Sequence, residues 1–376
     1  MRHFSYLLFC FLIFQFPSIS ISASTSRDSF EWEGTTITKF IGAETDVVIP
    51  DGVTVIGSRA FEECSSLKSV VIPEGVTEIG EYAFNQCTSL TSVVIPQGLT
   101  VIEDGAFFDC ASLTSVVIPE SVTVIGGGAF CGCASLTSVV IPEGVTVIDH
   151  VTFDRCSSLK SVVIPESVTE IRSVAFGRCC SLTSVEIPKN VTVIGTGAFE
   201  ACSSLTSIVL HEGITEIEGE VFSNCTSLTS VVIPKSVTKI GSRAFEYCSA
   251  LTSLEIPESV TVIESGAFSD CSSLTSVVLP KGITKIESSM FSDCISLKSL
   301  VIPKDVKKIK ECAFEGCTSL TSMVIPEGVT EIGWRAFKGC TSLTSIVIPD
   351  SVQIIGGGAF VGCKALKELS FSFHEA

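Results

Sequence analysis

The sequence predicts a mainly β solenoid of about 14 coils, with parallel β-sheet faces and few or no helices. Three observations predict it. Cysteine recurs every 23 residues with no insertion or deletion, from Cys64, Cys87 and Cys110 to Cys340 and Cys363. Phenylalanine does the same from Phe61 and Phe84 to Phe360. Within a coil, Val70 and Ile72 alternate with Ser69 and Val71, and a period of two marks a strand. One fixed period of this size means a stack of equivalent units, each burying its apolar face against its neighbours.

Composition bounds the rest. A globule of 376 residues would divide into about two or three domains, but the repeat overrides that count. Apolar content is 45%, enough for a long core. The net charge is −17, from 24 basic and 41 acidic residues, which argues against nucleic acid and anionic membranes as partners. Fourteen of the eighteen cysteines belong to the repeat column. Neighbouring coils stand about 4.8 Å apart, whereas a disulfide needs Cβ atoms at about 3.5–4.5 Å. The column therefore reads as reduced, buried thiols packed as small hydrophobes. A straight line of one ligand type cannot surround a metal tetrahedrally. Of the four cysteines outside the column, Cys10 lies in the leader, and Cys131, Cys180 and Cys312 read as scattered surface thiols.

Taken in order, residues 1–23 read as a secretory signal peptide. Arg2 and His3 give the positive start, Leu7 to Phe16 the apolar segment, and Ala23 a small residue for cleavage. That apolar run is too short to span a bilayer, and no later run is long enough. Residues 24–46 break the period and read as an N-terminal cap covering the first coil, since an open parallel edge aggregates. The repeats occupy 47–365, and residues 366–376 form a partial C-terminal coil, a thin cap whose edge is open to self-association.

Within residues 67–87 the apolar columns are Leu67, Val70, Ile72, Val76, Ile79, Ala83, Phe84 and Cys87. Pro73 ends the first strand, because proline cannot donate to a ladder. Gly75, with Ser121, Asn190 and Asp305 at equivalent places, reads as a turn with unusual backbone angles. Val76 to Ile79 is a second, shorter extended segment, and Gly80 to Gln86 is a tight corner. Stacking is expected to give one continuous sheet from the first strands and a second from the Val-Thr-x-Ile segments.

The pattern Cys-x-Ser-Leu-Thr-Ser-Val-x-Ile-Pro-x-x-Val-Thr-x-Ile-Gly-x-x-Ala-Phe, repeated over residues 47–371, resembles the BspA-like leucine-rich repeat, also called the Treponema pallidum type. Ile37 to Gly42 is similar to the lead-in such proteins carry. The resemblance implies a curved solenoid whose strand face is the usual ligand surface. It also implies a secreted or surface protein of bacteria or of some parasitic protists, several members being adhesins for host matrix proteins or other cells. One departure is that no sorting motif, membrane helix or lipid-anchor signal follows Cys363.

The outward column of the first strand is the candidate ligand face: Val71, Val94, Val117, Val140, Val163, Glu186, Val209, Val232, Glu255 and Val278, continuing through Val301 and Val324 to Val347. A long exposed apolar stripe often marks an interaction site, although β-branched residues also simply stabilise a sheet. Glu186 and Glu255 either steer a basic partner or guard against aggregation. The Thr77 column and pairs such as Thr91-Ser92 form hydroxyl ladders, of a kind that orders water in ice-binding solenoids or satisfies neighbouring strands. Asn190 and Asn224 head N-glycosylation sequons, Asn190 at an accessible turn. His211 stands where other coils have the corner proline. His150, His211 and His374 lie in distant coils, so no Ser-His-Asp or Cys-His set assembles, and no phosphate loop is present. The expected function is therefore binding or adhesion at the cell surface, by a secreted protein that takes a protein ligand such as extracellular matrix or another cell, without catalysis, cofactor or metal. The alternative is a self-assembling element of a surface layer, with ice binding or an enzyme a distant third.

Overall fold

The computed structural model describes residues 24–371. The expected signal peptide, Cys10, and the final residues including His374 lie outside the described residues. After the N-terminal hairpin β1 (Phe30–Glu33) and β2 (Thr36–Phe40), the first coil contributes β3 (Asp46–Val48) and β4 (Val55–Ile56). β3 pairs in parallel with Ser69–Val71, which pairs with Ser92–Val94, so Val47, Val70 and Val93 stand in one column. β4 pairs likewise with Glu78–Ile79 and then Val101–Ile102. In both series the apolar residue facing inward is buried and its neighbours face out, the alternation that a pleated strand imposes. No α-helix occurs among the described residues, only a 3-10 turn at Arg27–Ser29.

The expected continuous sheets are broken. The β3 series forms sheets of two or three strands, and the β4 series, with the hairpin, sheets of three to six. Around residues 115 and 184 a single bridge remains, Ser92 to Ser115 and Ser184 to Ser207. A strand of two or three residues has so few ladder bonds that a small local shift ends the ladder.

Stacking continues through those breaks because the corner carries a third ladder. The N–H groups of Arg59, Phe61 and Glu63 donate to the carbonyls of Glu81, Ala83 and Asn85 in the next coil, at 2.9, 2.7 and 2.8 Å. The intervening N–H groups of Ala60, Glu62 and Cys64 close tight turns onto Gly57, Arg59 and Phe61. Each corner holds two left-handed residues, in the columns of Arg59 (φ 60°) and Glu63 (φ 59°). Glycine fills some of these places, at Gly105 and Gly132 for instance, but Val151 (φ 49°) and Val174 (φ 58°) fill others, where a branched Cβ is strained. The Gly75 column, expected to hold the unusual angles, is left-handed only at Gly52, Gly213 and Gly328.

The core is one continuous cluster along the axis. Phenylalanine rings stack from Phe61 to Phe360, with centroids between 4.8 Å (Phe61–Phe84) and 6.1 Å (Phe199–Phe222) apart. The widest step occurs where Val221 replaces the usual alanine. At the N-terminal end Phe40 takes the place of a missing coil: its ring stacks on Phe61 at 5.2 Å and its N–H donates to the Ala60 carbonyl at 2.7 Å. Phe30 and Trp32 cover that pair from outside. At the other end Glu368–Phe371 pairs in parallel with Ser345–Ile348.

Candidate functional site

The face formed by the β3-type strands carries three outward columns: threonine or lysine (Lys68, Thr91), serine (Ser69, Ser92) and valine or glutamate (Val71, Glu186). Exposure along the valine column is not uniform. Val71, Val94, Val117, Val140 and Val163 are only half-exposed, whereas Glu186, Val209, Val232 and Glu255 are open to solvent. Exposure reaches 67% at Val278 and 84% at Val301, and Val324 and Val347 are also exposed. The expected solvent-facing stripe is thus fully open only from Glu186 onward. Its cause is not local sequence, since Ser-Val-Val at 138–140 is half-covered while the same tripeptide at 276–278 is open. Glu186 and Glu255 have no cation within ion-pair distance among the described residues.

The hydroxyl columns are bonded along the axis. Thr91 Oγ1 donates to the Lys68 carbonyl at 3.0 Å and Thr114 Oγ1 to the Thr91 carbonyl at 3.2 Å. In the β4 series Thr100 Oγ1 donates to the Thr77 carbonyl at 3.1 Å. These protons are used within the protein, as cross-strand satisfaction requires, and are not presented to surface water.

The cysteine column does more than fill space. Cys87 Sγ donates to the Phe61 carbonyl at 3.0 Å, and the same bond recurs down the column to Cys363 and Phe337 at 3.1 Å. Every described cysteine is a free thiol. Burial pushes the Cys110, Cys225, Cys271 and Cys317 thiols up to about 12, which makes them inert. Of the three expected surface thiols, Cys180 is exposed and Cys312 half-buried, but Cys131 is buried. The correction has a physical origin: Cys131 lies under the buried carboxylate of Asp154, with Arg155 Nη2 3.3 Å from its sulfur. Arg155 and Arg178 both pair with Asp154, at 3.5 and 3.2 Å. Sequence reading missed this cluster because its members are scattered through residues 109–200 and meet only when the coils stack.

The remaining candidates stay apart. Asn190 is exposed at its turn and its Nδ2 donates to the Glu166 carbonyl at 2.6 Å. Asn224 is half-buried in a left-handed corner position before the buried Cys225. His211 fills the corner role, its carbonyl accepting from Ile214 N–H at 3.3 Å as the Pro73 carbonyl does from Val76 at 3.1 Å. His150 Nδ1 lies 2.8 Å from Asp149. Burial works to raise the Asp149 carboxyl, but His150 and Arg172 more than offset it and hold the group below its usual value. Among the described residues no His, Cys, Asp or Glu cluster could hold a metal. Among the described residues no helix is long and apolar enough to cross a membrane.

The family called the BspA type leucine rich repeat region (6 copies) matches residues 41–149, 124–252 and 238–367. The chain belongs to this BspA-type leucine-rich repeat family. A leucine-rich repeat protein of Bacteroides ovatus is 28% identical, with a TM-score of 0.72, over 96% of this chain and 100% of that one. A leucine-rich cell surface protein of Faecalibacterium prausnitzii is 33% identical, with a TM-score of 0.62, over 94% of this chain and 96% of that one. A leucine-rich repeat protein of Eubacterium ventriosum shares the fold at 24% identity and a TM-score of 0.58, over 91% of each chain. A search of curated proteins found no match. The BspA-type repeat thus accounts for nearly the whole solenoid.

Proposed function

We propose that this BspA-type chain is a secreted or cell-surface binding module that takes a protein ligand, extracellular matrix or another cell surface, on the open part of its β3-type face. The observation that carries the reading is the exposed valine stripe from Val209 to Val347, interrupted by Glu255. A solvated apolar stripe of this length is uncommon on a monomer and marks an interaction surface. The cell-surface description of the Faecalibacterium relative supports the location. Affinity would come from many modest contacts on a rigid, repetitive face, with little ordering cost on binding. Among the described residues His150 and His211 stand in separate coils, an arrangement that fits recognition. The test is binding of the chain to surfaces coated with fibronectin, collagen or laminin and to whole cells, beside a variant with lysine at Val209, Val232, Val278 and Val324. Loss of binding in a folded variant supports the reading. Unchanged binding removes it, as does no binding to any surface with a particle mass that grows with concentration in light scattering.

A further inference from the structure

The β4-type face carries a different feature. The chain is −17 overall, yet residues 281–310 hold seven lysines against Glu287, Asp293 and Asp305. Four of them, Lys304, Lys307, Lys308 and Lys310, fall in one coil. Lys308 occupies the outward strand position, in register with Lys285 on the preceding coil. Lys307 stands in the exposed column that is threonine in most other coils. Lys308 is held by Glu331 at 2.7 Å. Lys304, Lys307 and Lys310 have no carboxylate within ion-pair distance among the described residues.

The next coil brings an aromatic platform alongside the segment that follows Lys308. The Gly333 N–H donates to the Ile309 carbonyl at 2.7 Å, and the Cys312 N–H donates to the Trp334 carbonyl at 2.9 Å, so Gly333–Arg335 lies along Lys310–Cys312. Trp334 is 46% exposed at a position that elsewhere holds glycine, serine, threonine, an acid or histidine. The Arg335 guanidinium sits over its ring, 3.8 Å from the centroid, and has no carboxylate partner within ion-pair distance among the described residues. Stacking fixes the guanidinium while leaving its N–H edge free for a planar or tetrahedral oxyanion.

We propose that Lys307, Lys308 and Lys310, with Arg335 and Trp334 of the adjoining coil, form a second binding site whose ligand is a sulfated polysaccharide. The ammonium groups suit sulfate esters as point charges, and the Arg335 fork suits one of them bidentately. The indole offers an apolar surface to the sugar ring. Lys304 stands in the preceding turn, and Lys307 to Lys310 runs three residues through the Lys308–Ile309 strand, about 10 Å, so a short stretch of a linear chain can lie along the coil. In the corner column Glu258 precedes Lys281 and Lys304 and Glu327 follows them, so the lysines occupy about two coils, roughly 10 Å, with Glu311 and Glu331 beside Lys310. That width fits a polymer chain and not the plane of an anionic bilayer. Single-stranded nucleic acid uses a succession of aromatic platforms, whereas this patch has one. The site lies on the other strand series from the valine stripe, so it stands independently of the protein-ligand reading.

The experiment is binding of the full chain to immobilised heparin across a salt series, with uncharged dextran, single-stranded DNA and anionic vesicles as competitors. Salt-sensitive binding is expected, competed by none of the three at equal concentration. The double variant K307E/K310E should weaken binding at least about tenfold, and R335K, which keeps the charge but loses the fork, by about threefold or more. The variant K189E/K235E makes the same charge change elsewhere and should alter binding by less than about twofold, as should V278K. Circular dichroism checks the fold, and the single variants K307A and K310A carry the test if the double variant misfolds. No binding to heparin, equal loss in K189E/K235E, or equal competition by DNA or vesicles would each overturn the proposal.

Discussion

At the residue scale, two columns hold more information than their composition suggests. The left-handed corner positions accept tyrosine, glutamate, arginine and glycine alike, so no single residue type marks them in the sequence. Their cost becomes visible at Val151 and Val174, where a left-handed branched residue is disfavoured by about 1–2 kcal/mol. Both side chains are only half-buried, so little packing is lost on truncation. Val174→Gly is expected to raise stability by about 1 kcal/mol, read as a higher urea midpoint. The same change at Val193, in a strand, should lower it. The cysteine column predicts an alkaline weakness. The thiols of Cys110, Cys225, Cys271 and Cys317 are pushed by burial from 9.0 to about 12. A folded value above the unfolded one means their contribution is complete below about pH 9 and is lost between about 9 and 12, on the order of 1 kcal/mol per thiol per pH unit. Thermal midpoints should therefore fall steeply above pH 9. At pH 8 Ellman's reagent should modify Cys180 first, with Cys225 and its column reacting only on unfolding.

At the element scale, the strands are short and the ladders break, but each coil is pinned by the ring stack, the thiol bond and the corner ladder together. Phe176→Ala should cost about 3–5 kcal/mol, as large core truncations do. Phe360→Ala, on a half-buried ring in the last described coil, should cost distinctly less, and chemical denaturation compares the two. The coil architecture was legible because its evidence is translational: an apolar column repeated at every 23 residues must face the core whatever the coil's shape. The inward columns of Val70, Ile79 and Phe84 follow from that alone. Several features were not legible, because they depend on how one coil sits on the next. The thiol-to-carbonyl bonds join residues 26 apart. The burial of Cys131 needs Asp154 and Arg155 from the following coil. Identical Ser-Val-Val strands at 138–140 and 276–278 differ in exposure.

At the scale of the whole molecule, the repeat builds a support of stacked coils, and the proposed recognition falls to its outward columns. The valine stripe, Glu186, Glu255 and the lysine band beside Trp334 are outward features that the core does not require. Net charge illustrates the limit of bulk composition: −17 describes the chain, while the coil of Lys304 to Lys310 is locally basic. The candidate face was legible as a column, but its division into a half-covered first part and an open second part was not. That division makes the central claim specific. The most direct test compares the affinity of the wild-type chain, the variant V232K/V278K and the variant V94K/V140K for whichever matrix surface binds it. Both double variants change charge equally on one face. At least a tenfold loss in V232K/V278K, with V94K/V140K close to wild type, is the predicted result. Equal losses in the two, or a loss confined to V94K/V140K, would contradict the assignment of the ligand to the open half.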